Sequence, residues 1–188
     1  VDDMGYGDLG CYGQKIIPTP NLDRLAAEGC RFTSFYSGST VCAPSRCALM
    51  TGKDMGHAYI RGNKETPLRD MDITIPRLAK QKGYSTGMFG KWGLGLDTNS
   101  GAPHKQGWDE FLGYLHHRHA HNFYVKNLWE TNTGVTKSHP MDTNQHTAPY
   151  IFNAALNFIC NHRQDPFLLY LPMTLPHAEV TIPTKEAI

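Results

Sequence analysis

Helical and extended signals alternate along this chain, with a glycine or proline at nearly every change, and that alternation restricts the fold more than any other feature. After Pro20, Asn21 is placed to cap a helix in which Leu22, Leu25 and Ala26 share a face and Gly29 supplies the stop. Residues 31–36 are aromatic and β-branched and read as a short strand. Pro44 suits the first turn of a second helix ending at Gly52, because its missing N–H is no loss there. A third helix is expected over 75–82, stopped by Gly83 and followed by an extended segment over 84–89. Ile151, Ala154, Ala155, Phe158 and Ile159 recur at helical spacing within 149–161, and the apolar run 167–171 suits a buried strand. An inserted hairpin is expected over 123–137, turning at Thr131-Asn132-Thr133-Gly134. The pattern predicts an α/β fold: a mostly parallel sheet flanked by helices, in one domain spanning 1–188 without repeats or linkers.

Charge narrows the function. Eighteen basic residues face 17 acidic ones, a net charge of +1, so no broad field exists to hold nucleic acid or an anionic membrane surface. Any anion must be bound locally. The longest apolar stretch, 167–173, is far shorter than the ~18–20 residues of a membrane span. The five cysteines, Cys11, Cys30, Cys42, Cys47 and Cys160, form no C-x-x-C pair, which argues against a zinc ribbon or a redox dithiol. Val1 is neither an initiating Met nor the start of a basic-then-apolar leader, so the sequence is expected to be a piece of a longer protein.

Two stretches carry chemistry. Asp2 and Asp3 are adjacent, and where the chain turns out of a strand through Met4-Gly5-Tyr6-Gly7 both carboxylates can converge on a hard cation such as calcium or magnesium. On these residues alone a solvated acidic turn is the favoured reading, since two carboxylates do not complete a calcium shell. Cys42-Ala43-Pro44-Ser45-Arg46 places a thiol before a helix N-terminus, where unpaired N–H groups favour an anion, and Arg46 four positions on can face that anion. A buried structural thiol and a surface arginine are the alternatives.

Residues 42–52, Cys-Ala-Pro-Ser-Arg-Cys-Ala-Leu-Met-Thr-Gly, resemble the sulfatase signature C-x-P-S-R-x-x-L-x-T-G. Gly83-Tyr84-Ser85-Thr86-Gly87-Met88-Phe89-Gly90-Lys91-Trp92 resembles the second signature of that family, the Asp2-Asp3 stretch its opening metal motif, and Pro176-His177 its later histidine motif. The chain is thus identified as similar to the type I, formylglycine-dependent, arylsulfatase-like sulfatases, with an alkaline-phosphatase-like fold.

The resemblance implies the following. Cys42 is oxidised by a maturation enzyme to formylglycine, whose hydrate is the nucleophile. Arg46 and Lys91 neutralise the sulfuryl group, and a calcium ion is held partly by Asp2, Asp3 and residue 42. His177 contacts sulfate and protonates the leaving oxygen, and His119, after Phe111-Leu112-Gly113, is the further histidine expected at the substrate. The histidine that usually follows Gly-Lys-Trp is Gly93 here, which leaves its role to His57 or to the cluster His116, His117, His119 and His121. Family members are longer, so the chain is expected to be incomplete at both ends. Further metal ligands and a lysine would lie past Ile188, and these residues alone would lack a competent metal site. Export to the periplasm or cell exterior is implied in the same way. A phosphonate or phosphodiester hydrolase of the same superfamily, and a non-catalytic protein binding sulfated ligands, are the other readings.

Overall fold

The computed structural model describes residues 1–132 and 134–177. Helices α1 (Pro20–Glu28), α2 (Cys42–Thr51) and α3 (Ile75–Gln81) precede strand β1 (Ser85–Lys91). Strands β2 (Glu110–Tyr114), β3 (Asn127–Thr131) and β4 (Thr136–Pro140) follow, then helix α4 (Thr147–His162) and strand β5 (Phe167–Tyr170). The sheet order is β4-β3-β2-β1-β5. Strand β1 lies inside the sheet and pairs in parallel with β2 and β5, in register Met88↔Phe111 and Met88↔Tyr170. The predicted hairpin is present as β3 and β4, but it extends the sheet with antiparallel pairings of β2 with β3 and β3 with β4. The α/β class therefore stands, while the sheet is mixed and not mostly parallel.

Both faces of the sheet are covered, as period-two alternation along β1 requires. Met88 joins Phe111, Leu115, Trp92 and Trp108 in a core completed by Ala43, Cys47 and Met50 of α2. Phe89 joins Leu112, Tyr114 and Leu128 under Ile151, Ala155 and Phe158 of α4. The ring of Phe158 lies where a side chain at Gly87 would stand, 2.8 Å from its ideal Cβ, so this glycine lets α4 settle on the sheet.

The alternation breaks at the end of β1. Phe89 faces α4, so Lys91 would also face α4 in a regular strand, yet its ammonium reaches Cys42 at the start of α2. Gly90 between them has φ +133°, which side chains rarely adopt, and this turn of the backbone redirects Lys91. Gly90 lies opposite Gly113 of β2, and the two backbones approach so closely that a Cβ on Gly113 would fall 1.8 Å from the Gly90 carbonyl oxygen.

Two strand expectations fail. Residues 31–36 have no regular structure, and Phe32, Phe35 and Tyr36 are exposed. Among the described residues this run pairs with none of the five strands, and without backbone partners a strand does not form. Val1 is likewise outside the sheet, and Asp2 N–H reaches the carbonyl of Leu175 on the segment after β5. Among the described residues no helix is long and apolar enough to cross a membrane.

Gly113→Ala is expected to lower stability by more than about 3 kcal/mol, the upper range of ordinary overpacking, because backbone and not a flexible side chain blocks the new atom. Chemical denaturation of the full protein checks this; an unchanged midpoint would contradict the close approach of β1 and β2.

Candidate active site

Helix α2 begins at Cys42 itself, two residues earlier than Pro44 suggests. Its N-cap, Val41, has no side-chain acceptor, and Asn63 Oδ1 accepts the Ala43 N–H at 2.9 Å in its place. Arg46 lies one turn beyond Cys42 and therefore on the same helix face. Gly52 closes the helix in the left-handed conformation at φ +67°.

Lys91, redirected by Gly90, is fully buried. Its Nζ donates to Asp2 Oδ2 at 2.6 Å and lies 3.4 Å from Cys42 Sγ. Arg46 approaches the other oxygen, Asp2 Oδ1, through Nη2 at 3.4 Å and donates through Nη1 to the Lys91 carbonyl at 2.5 Å. Arg46 is 8% exposed, and its Nε is buried with no hydrogen-bond partner among the described residues. Burial works against ionisation of Asp2, but the Lys91 hydrogen bond and the charges of Lys91, Arg46 and His177 outweigh it and hold this carboxyl below its ordinary value of 3.8.

One carboxylate thus faces two buried cations, leaving local positive charge beside Cys42. Asp2, Cys42 and Arg46 line a cleft of about 320 Å³ together with Asp3, Ser37, Ser39, Thr40 and Tyr170, and Lys91 lies buried behind them. The cleft opens at the carboxyl edge of β1 and β5, the usual position for ligands in open α/β sheets. An oxyanion in it would find the helix N-terminus, two fixed cations and a guanidinium N–H in need of an acceptor.

The predicted metal residues divide. Asp2, Cys42 and His177 bring ligand atoms within 4.8 Å of one another. Asp3 has the left-handed φ of +63°, which turns its exposed carboxylate away from that of Asp2 and toward His177, at 3.4 Å from Nε2. Calcium takes about six to eight oxygen ligands, so the two carboxylates match its donor type and fall short of its number.

The histidines also divide. His177 stacks on His121, with ring centroids 4.1 Å apart. His119, the histidine expected at the substrate, instead stands edge-on to Tyr114 at 5.2 Å, against the α4-side core. The residues His119–His121 form a single 3-10 turn, and its roughly 120° rotation per residue sends these two side chains in different directions. His57 is exposed and pairs with Asp54 at 2.9 Å. His116 Nε2 donates to Glu65 Oε1 at 2.6 Å, and His117 is buried beside Gly93.

A model of the sulfatase family matches residues 1–186. The chain belongs to the sulfatase family. Within it, N-acetylgalactosamine-6-sulfatase of Canis lupus familiaris is 35% identical over 96% of this chain and 39% of its own length. The structure of BT4656 in complex with its substrate D-glucosamine-2-N,6-O-disulfate superposes with a TM-score of 0.76 at 29% identity, over 94% of this chain and 33% of that one. Ps i-CgsB in complex with k-i-k-neocarrahexaose gives 0.78 at 29%, over 96% of this chain and 44% of that one. This sulfatase-family chain spans about two-fifths of the length of the curated relatives it matches.

Lys91→Met is expected to destabilise the protein at neutral pH by up to about 3–5 kcal/mol, because it leaves the buried Asp2 carboxylate with only the longer Arg46 contact. Asp2 titrates below 3.8 in the folded protein, so its ion pair stabilises fully above that pH and loses its effect as the pH falls through the folded value. Denaturation midpoints of the full protein against pH should converge for wild type and variant in acid. A constant gap would show that lost packing, not lost charge, is responsible.

Proposed function

We propose that the full protein hydrolyses sulfate esters, of the aryl or carbohydrate class, through a formylglycine made from Cys42 and with the assistance of calcium. The charge imbalance at Cys42 carries this reading: two buried cations share one carboxylate, and Arg46 Nε is left for a ligand oxygen. The substrate of BT4656, D-glucosamine-2-N,6-O-disulfate, favours a carbohydrate sulfate.

Arg46 and Lys91 bind the sulfuryl oxygens. Because both are already held, by the Lys91 carbonyl and by Asp2, little reorganisation accompanies the charge that develops in the transition state. His177, on the segment that also receives the Asp2 N–H, delivers a proton to the leaving oxygen, and Asp3 orients its ring. Formylglycine supplies an oxygen nucleophile that a thiol lacks, together with release of sulfate by return to the aldehyde. Cys42 fits that role, half-buried at the cleft and 3.4 Å from Lys91 Nζ. Asp2 and Asp3 would hold part of the calcium shell, with magnesium as the other fitting ion, and the ion would add positive charge at the sulfate. A maturation enzyme acting on Cys42 and export to the periplasm or cell exterior belong to the same reading.

The test is expression of the full protein with a formylglycine-generating enzyme, mass analysis of the peptide containing residue 42, and hydrolysis of matched sulfate and phosphate esters. The aldehyde and preferential sulfate release are expected, Cys42→Ala should abolish release, and Arg46→Gln should lower kcat/KM by about 10²–10³-fold. Preferential phosphate ester hydrolysis would reassign the reaction. Tight binding of sulfated ligands without turnover would make this a binding protein.

A further inference from the structure

The sulfatase reading leaves one task without a residue, the acceptance of the proton whose loss expels sulfate. The groups at the cleft are poorly suited to it. Lys91 and Arg46 are donors only, and Asp2 is held ionised and engaged by both of them. Asp3 is an exposed carboxylate that faces His177.

Gly93 marks where such a group can stand. It lies two residues past Lys91 with φ +75°, and a Cβ built on it would be 3.8 Å from Arg46 Cδ and 3.8 Å from His117 Cβ. Arg46 and His117 therefore flank the same glycine, and the backbone there disfavours any side chain of its own. His117 is 7% exposed, and its ring stacks on that of His116 at 4.6 Å. His116 is held in turn by Glu65 at 2.6 Å and by the Arg118 N–H at 3.0 Å. This is a ring fixed by its neighbours rather than one free on a loop.

From these contacts the geometry points to His117 as the proton acceptor of the site, standing over Gly93. The hydroxyl proton of the formylglycine hydrate passes to the imidazole, directly or through one water. The O–H electron pair forms the aldehyde C=O, and the adjacent C–O bond breaks with its electrons leaving on sulfate. The electrostatics agree: burial above all, with the nearby charges of Lys91 and Arg118 adding to it, holds His117 below its ordinary value of 6.5, so it is neutral near pH 7 and open to a proton. Glu65, the nearby carboxylate, is engaged by His116. Behind His117 a cavity of about 20 Å³, lined by Glu65, Asn99, His116 and Gly93, has room for one water and gives the proton a route to the exposed Glu65.

This inference rests on the sulfatase reading, and the experiment separates the two. The full protein is matured and prepared as wild type, His117→Gln and His117→Ala, with thermal melts and conversion of Cys42 to the aldehyde checked for each. Both variants are expected to convert normally and to turn over about 10²–10³-fold more slowly. After quenching during turnover, the peptide containing residue 42 should retain the mass of a sulfuryl group, and added imidazole should restore turnover to His117→Ala. Turnover of His117→Gln within about threefold of wild type would overturn the assignment. Slow turnover with neither a sulfurylated peptide nor rescue by imidazole would also overturn it. A matured wild type that releases no sulfate would instead refute the sulfatase reading itself.

Discussion

Complete burial of a lysine costs several kcal/mol unless an anion sits beside it, and here Asp2 meets Lys91 Nζ at 2.6 Å. Asp2 is itself buried, so each residue makes the other tolerable, and Arg46 at 3.4 Å adds a second cation to the same carboxylate. The arrangement is not neutral. Its excess positive charge is what the cleft beside Cys42 offers to an anionic ligand, in a chain whose net charge is only +1.

Distant segments build this interaction. The start of the chain is tied to the segment after β5 through the Asp2 N–H and the Leu175 carbonyl. Helix α2 presents Cys42 and Arg46 one turn apart. Strand β1 supplies Lys91 only because Gly90 breaks its alternation, and Gly113 gives that kink room. The glycines here are therefore part of the site's geometry. The stretch after β1 extends this logic, since Gly93 lets Arg46 and His117 flank one point.

Much of this was legible in the sequence, for reasons specific to each element. Helices α3 and α4 and strand β5 carry strong periodic signals and clear stops, and they form close to where the pattern puts them. The run 31–36 has the composition of a strand but lacks the pairing that makes one, which a local reading cannot see. The antiparallel half of the sheet follows from how the hairpin docks on β2, again a non-local choice. At the site, Cys42, Arg46, Lys91, Asp2 and His177 were visible from the motifs, and the structure gathers them. Asn63, which caps α2 from 20 residues away, left no local spacing to detect. The histidine cluster was visible as a group, but its division among Tyr114, His177, Glu65 and Gly93 depends on a 3-10 turn and on side-chain packing that composition does not encode.

The central claim is that the Asp2-Lys91-Arg46 charge arrangement recognises a sulfate group. Calorimetric titration of a sulfated monosaccharide and its unsulfated counterpart into the full protein, as wild type and as Arg46→Gln, tests it most directly. The account predicts that only the sulfated sugar binds measurably and that Arg46→Gln weakens it by about tenfold or more, a loss of at least about 1.4 kcal/mol. Equal binding of the two sugars, or undiminished binding to Arg46→Gln, would contradict it.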